Sequence, residues 1–208
     1  MIEIVNLKKV KNKKVLLNNI NLKLEDKNIY NILGENGSSK TVLLKVITNI
    51  WQATEGKIIC DGEDIIKTKS FIKNFAIYNE EMSIDLNETV INNIKFINKN
   101  IKEDVIDKYL DAFNLSKEKN TKCNELSKGM LQKIKLIIIF AKDAKYIFLD
   151  EPFKSLDNNS QEILKNVILY MKEKGKTICI TTHIKKYIDF ADYKIFLENG
   201  EIKKYEWN

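Results

Sequence analysis

Apolar and polar positions change their period several times along this chain, and each change marks an element. IEIVNL, residues 2–7, alternates as a half-buried strand does, and NINLKLE repeats the alternation at Ile20, Leu22 and Leu24. IYNIL, residues 29–33, is apolar almost throughout, as a strand covered on both faces would be. The period then becomes helical in KTVLLKVITNI, with Val42, Leu43, Val46, Ile47 and Ile50 on one side. GKIICDGEDI reads as a strand that stops at Asp61-Gly62. FAIYNEE holds a further short strand. Two polar-faced helical stretches, ETVINNIKFI and EDVIDKYLDAF, follow between Asn87 and Phe113, and a third, GMLQKIKLIIIFA, starts at Gly129. YIFLDEP is a buried strand with an acidic end. NSQEILKNVILYMKEKG gathers Ile163, Leu164, Val167, Ile168 and Met171 on one helical face, with Gly175 as its stop. TICITTH is another apolar strand, and Asn199-Gly200 in KIFLENGEIKKYEW signals a hairpin.

Strands alternating with helices predict an α/β core built on buried parallel strands. The helices from about 87 to 135 interrupt that alternation and predict an inserted helical lobe. The expected organisation is one domain, with a core lobe at about 1–80 and 140–208 and a helical lobe at about 81–139.

Composition narrows the classes. With 208 residues, 44% hydrophobic and 31% charged, the chain suits one well-packed globular domain. The longest apolar run, LIIIFA, is far too short to span a bilayer, and MIEIVNLKKV lacks the apolar segment of a secretory signal. A cytoplasmic protein is expected, with any membrane contact made through a partner. Cys60, Cys123 and Cys179 are odd in number and widely spaced, which suggests buried thiols, not a zinc site or a disulfide framework. The net charge is +6, but every basic residue is lysine, and the lysines are dispersed among acids. That pattern favours a solvated surface over nucleic-acid binding.

Two stretches carry candidate chemistry. In GENGSSKT, a strand runs into a glycine-rich turn that opens a helix, so backbone N–H groups at the helix's positive end could cradle phosphate. Lys40 would reach the β- and γ-phosphates, and the Thr41 hydroxyl would ligate Mg²⁺. Gly34, Asn36, Gly37, Ser38, Ser39 and Val42 complete this set. The alternative is an ordinary Asn-Gly turn with Ser38 or Ser39 capping the helix. The phosphate-loop pattern G-x-x-x-x-G-K-[ST] wants glycine where Ser39 stands. In YIFLDEP, carboxylates emerge at the end of a buried strand, where α/β sheets bind ligands. Asp150 would hold Mg²⁺ opposite Thr41, and Glu151 could take a proton from attacking water. The alternative is a solvated acidic turn.

Together these stretches resemble the Walker A and Walker B motifs of ATP-binding-cassette (ABC) ATPases. LSKGM, residues 126–130, resembles that family's signature LSGGQ and lies directly before a helix. FKSLD, ending at Asp157, is similar to its D-loop, and TTH, ending at His183, to its switch histidine. All five motifs fall in the family's order. The chain's only histidine and only proline both fall within them, as do three of its seven glycines: Gly34, Gly37 and Gly129.

The resemblance implies a P-loop NTPase (RecA-like) core, an N-terminal antiparallel β-subdomain and an inserted helical lobe. It implies ATP and Mg²⁺, with Glu151 and His183 acting in hydrolysis beside Lys40. Two cassettes would close head to tail, Ser127 and Gly129 of one capping the γ-phosphate held by the other, and Asp157 coupling the sites. Aligning the family's glutamine loop puts Glu80 where glutamine is usual, with a metal or water as its ligand. The aromatic residue that stacks on adenine is replaced by Val10. The implied role is that of the motor subunit of a transporter with separate permease subunits, peripheral on the inner face of the cell membrane. LSKGM and Glu80 look most like the exporter-type and antibiotic- or bacteriocin-resistance branches. Two rivals keep the fold: a soluble ABC ATPase without a membrane partner, and a degenerate subunit that clamps nucleotide without hydrolysing it.

Overall fold

The computed structural model describes residues 1–66, 68 and 73–207. Strand β1 (Ile2–Lys11) pairs antiparallel with β2 (Lys14–Leu24) and with β4 (Glu55–Cys60), and β4 pairs with β5 (Glu63–Asp64). They form a four-stranded sheet in the order β2-β1-β4-β5. Both β1 and β2 run further than the alternation predicts, meeting at a tight turn where Asn12 and Lys13 have φ of 51° and 63°. Two-residue hairpin turns need positive φ at both central positions and usually advertise it as Asn-Gly. Here lysine takes the second position and hides the signal. Register shifts within β1 also break the period-2 pattern.

The second sheet has the order β10-β9-β3-β8-β7-β6. Its members are β3 (Ile29–Leu33), β6 (Phe75–Tyr78), β7 (Tyr146–Asp150), β8 (Thr177–Thr181), β9 (Tyr193–Glu198) and β10 (Glu201–Trp207). All pairings are parallel except β9 with β10, the hairpin signalled by Asn199-Gly200. Every residue of β3 and β8 is buried, the polar Asn31, Thr177 and Thr181 among them, as strands covered on both faces are.

Helix α1 (Lys40–Ile47) follows β3; α2 (Val90–Ile97), α3 (Glu103–Ala112) and α4 (Lys128–Ala141) lie between β6 and β7; α5 (Asn158–Glu173) lies between β7 and β8. Alternate residues of the central strands enter two different cores. Ile147, Leu149, Ile178 and Ile180 pack with α2–α5, while Tyr30, Ile32, Phe148 and Cys179 pack with α1 and the four-stranded sheet. The three cysteines are free and buried, and burial pushes the Cys60 thiol up to about 11. Among the described residues, no helix is long and apolar enough to cross a membrane.

This layering brings the carboxyl ends of three strands side by side, because Ile32 of β3 and Asp150 of β7 both pair with Thr181 of β8. Whatever binds here meets all three loops at once.

Candidate phosphate site and its neighbours

The loop from Gly34 to Ser39 leaves β3 and turns into α1. Gly34 is demanded by close packing: a Cβ there would lie 2.2 Å from the Leu197 carbonyl oxygen. Gly37, at φ 85°, stands in open space. Ser39 occupies the left-handed region, with φ 78° and ψ 23°, at the cap of α1, and no side chain caps that helix. The buried Ser38 hydroxyl has no hydrogen-bond partner. Neither serine therefore acts as the helix cap that the ordinary-turn alternative requires. The first amides of α1 and a buried hydroxyl are instead left to an outside acceptor, which is the electrostatic arrangement of an anion site.

Lys40 is only 8% exposed, a burial lysine tolerates only when its ammonium is satisfied. Its Nζ donates to the carbonyls of Gly34 at 2.6 Å and Glu35 at 3.0 Å, which holds the charge inside the curl of the loop. Beside it, the Thr41 hydroxyl donates to Asp150 Oδ2 at 2.7 Å. Asp150 Oδ1 accepts from the Thr181 hydroxyl at 2.7 Å, and that hydroxyl accepts the Glu151 N–H at 2.9 Å. Glu151 lies at φ 49°, a strained conformation for a non-glycine residue. Its Oε2 is 2.9 Å from His183 Nδ1. A continuous chain thus runs Thr41–Asp150–Thr181–Glu151–His183.

The floor under this chain is rigid. Phe153 and Tyr187 stack with centroids 4.2 Å apart and planes at 7°, joining the loop after β7 to the segment after His183. The buried Asn31 of β3 donates to the Tyr187 carbonyl at 3.2 Å.

Asn36, Gly37, Ser39, Lys40, Thr41, Val42, Asp150 and Glu151 line one cleft of about 360 Å³. Leu16 of β2 joins them, whereas Val10 does not; its N–H is bound to the Thr54 hydroxyl. An aliphatic side chain is what the cleft offers a base at that edge. Thr181 and Leu16 escape sequence reasoning. The pair of threonines before His183 was the available signal for the first, and the hidden hairpin turn concealed the second.

The other expected residues lie elsewhere. Ser127 caps α4, accepting the Met130 N–H at 3.3 Å, and a Cβ on Gly129 would meet nothing within 4 Å. Gly129 lines a separate cleft of about 480 Å³ together with Lys128, Ser155 and Glu80. Glu80 is not brought to Thr41 and Asp150: its carboxylate is 3.2 Å from Lys154 Nζ and its carbonyl accepts from Lys135. Asp157 caps α5, and the N–H and hydroxyl of Ser160 hold its carboxyl below the usual range. Neither Ser127 nor Gly129 lines the cleft that holds the loop from Gly34 to Thr41.

Comparison with known proteins agrees with this geometry. The family model described as "ABC transporter" matches residues 17–154. The uncharacterized ABC transporter ATP-binding protein YybJ of Bacillus subtilis is 30% identical over 99% of this chain and 96% of its own length. The lantibiotic transport ATP-binding protein SrtF of Streptococcus pyogenes is 28% identical over 97% of this chain and 89% of its own. The petrobactin import ATP-binding protein YclP of Bacillus subtilis is 29% identical over 98% and 86%. A bacterial ABC transporter cassette solved as a dimer superposes with a TM-score of 0.89 at 21% identity, covering 100% of this chain and 98% of that one. The five sequence motifs, the sheet that sets three of them side by side and the family match over most of the chain converge: this protein belongs to the ATP-binding subunits of ABC transporters, which bind and hydrolyse ATP to power transport.

Proposed function

We propose that this chain is the motor of a transporter whose membrane-spanning part is separate, working as a head-to-tail pair of cassettes. The observation that carries this reading is the division of the site. The phosphate loop and its acids share one cleft, while Gly129, two residues after Ser127, lines another. A signature that lines a cleft apart from its own phosphate loop suits capping the nucleotide of a second cassette, and the bare approach at Gly129 leaves room for it.

In the mechanism, the loop amides, the Ser38 hydroxyl and Lys40 bind the phosphates. The ammonium of Lys40 exchanges its two carbonyl partners for β- and γ-oxygens. Thr41 and Asp150 fit a Mg²⁺ ion, being a hydroxyl and a carboxylate 2.7 Å apart, the hard oxygen donors such an ion prefers. Bound there, the ion would neutralise phosphate charge. Glu151 accepts the proton of the attacking water, with its backbone fixed by Thr181. His183 orients Glu151 through the 2.9 Å contact and, as the family resemblance implies, would meet the γ-phosphate. Closing two cassettes around ATP and releasing them after hydrolysis converts turnover into movement.

The helical lobe, about residues 81–139, would meet the permease. Phe96, 79% exposed, and Leu86, 47% exposed, present apolar surface there. Placement on the cytoplasmic face follows from such a partner. Export is the direction we favour, from the resemblance of LSKGM and Glu80 to exporter-type branches.

Steady-state phosphate release by the purified chain, with Glu151→Gln as control, tests the base. Full turnover in the variant overturns that role. Isolation from native membranes tests the transporter reading: a multi-span membrane protein in constant ratio supports it, and recovery of the chain alone overturns it.

A further inference from the structure

The contacts around Lys154 join the loop leaving β7, helix α4 and the segment leaving β6. Lys154 sits on the short loop leaving β7, and its N–H donates to the Glu151 carbonyl at 3.1 Å. Its own carbonyl accepts Gln132 Nε2 of α4 at 2.5 Å. Its ammonium is 3.2 Å from Glu80 Oε2, on the segment that leaves β6 for the helices. A second residue of α4, Lys135, donates to the Glu80 carbonyl at 3.2 Å. Gln132 and Lys135 are three positions apart and share one helix face. That face therefore holds both the β6 exit and the β7 exit, and the Glu80–Lys154 ion pair closes the ring. Ser155, next along, is left-handed at φ 65°, so the loop is set in a conformation it would not choose alone.

We propose that Glu80, Lys154 and Gln132 form a clasp between the helices and the core, and that Lys154 is a positioning residue for Glu151. The charge of Glu80 has its counter-charge in Lys154, which makes the pair a matched unit. A shift of α4 pulls the Lys154 carbonyl through Gln132 and so displaces the loop whose first residue is Glu151. The phosphate loop touches none of these three side chains, so the clasp acts on the hydrolytic step and not on nucleotide affinity. This inference rests on the proposed role of Glu151 as base.

The test is a double-mutant cycle on steady-state ATP hydrolysis, using Glu80→Gln, Lys154→Met and the pair, with the charge-swapped Glu80→Lys/Lys154→Glu as rescue. Both side chains are exposed, so each single change is expected to lower kcat by about threefold, the size an exposed ion pair supports. KM for ATP and the melting temperature should stay unchanged. The double variant should also lose about threefold, whereas independent residues would multiply to about ninefold. The swapped pair should recover most of the loss. Multiplicative losses, or a swap no better than the singles, overturn the clasp. So does a rise in the Mg²⁺ requirement of Glu80→Gln while Lys154→Met turns over normally, since Glu80 would then serve the metal. Glu151→Gln is run alongside. If it hydrolyses at the full rate, the role of the base fails, whatever the cycle gives.

Discussion

Replacing Ser39 by glycine asks what the departure in the phosphate loop costs. Ser39 lies at φ 78° and ψ 23°, where an L-residue is disfavoured by about 1–2 kcal/mol. Glycine removes that strain but adds about 0.5–1 kcal/mol of freedom to the unfolded chain. The net stabilisation is about 0–1.5 kcal/mol, which in a chain of this size raises the melting temperature by no more than about 6 °C. Binding responds differently. Strain present with and without nucleotide cancels, so only the fraction of time the loop leaves its binding shape matters, and apparent affinity gains by that fraction alone. If all of this strain of about 1–2 kcal/mol acts in this way, ATP binds at most about thirtyfold tighter, at tenfold per about 1.4 kcal/mol. The assay is calorimetric titration with Mg-ATP in a Glu151→Gln background, so that turnover does not consume the ligand. Ser39→Ala separates the two features of serine, because alanine keeps the Cβ and loses the hydroxyl. The strain account expects alanine to match serine and glycine to equal or exceed both. A large loss of affinity in glycine and alanine alike would show that the hydroxyl contacts phosphate and would refute the account.

Glu151→Gln should lower phosphate release at least ~100-fold while ATP still binds, and His183→Ala should do the same by freeing Glu151. Chelating Mg²⁺ should abolish hydrolysis, and Asp150→Asn should raise the Mg²⁺ concentration needed for half-maximal rate. Gly34→Ala drives a Cβ against the Leu197 carbonyl, so thermal melting should fall by the equivalent of about 1–3 kcal/mol; an unchanged melting temperature would mean the loop yields freely. Burial pushes Asp61 up, but hydrogen bonds from Lys145, the N-terminal amine and Tyr146 outweigh it and hold its carboxyl down at about 2. A depressed folded pKa gives stability that is complete above the ordinary value near 3.8 and is lost as pH falls through about 2. Acid titration of Asp61→Asn, followed by circular dichroism, should show a shallower loss across that window.

Much of the fold was legible because its strongest signals are local. The runs IYNIL, YIFLDEP and TICITTH are short, apolar and flanked by turn residues, and each became a central strand. The switch to period 3.6 after Lys40 and after Asn158 marked α1 and α5. The β1–β2 hairpin was less legible, since its turn uses Asn12-Lys13 and its register shifts scramble the alternation. In the site, Lys40 and Thr41 could be named because a strand runs into their glycine-rich turn, Asp150 and Glu151 because they end a buried strand, and His183 through the resemblance of TTH to the family's switch histidine. Thr181 could not, because its role depends on pairing between β7 and β8, a contact across 31 residues that no local pattern encodes. Glu80 was placed by alignment with a metal, yet its partner is a lysine 74 positions away, on a loop whose own pattern gave no hint of charge pairing.

The stacked rings of Phe153 and Tyr187 carry a further consequence. Glu151 stands two residues before one ring and His183 four residues before the other, so both loops share one foundation. A fluctuation that parts the rings loosens both groups together. Amide protons on the two segments should therefore exchange with solvent as a single cooperative unit, at one rate and with one denaturant dependence. Heating or mild denaturant would then switch hydrolysis off in one step, as a circuit breaker trips, while the β1–β2 hairpin and the four-stranded sheet still hold their shape.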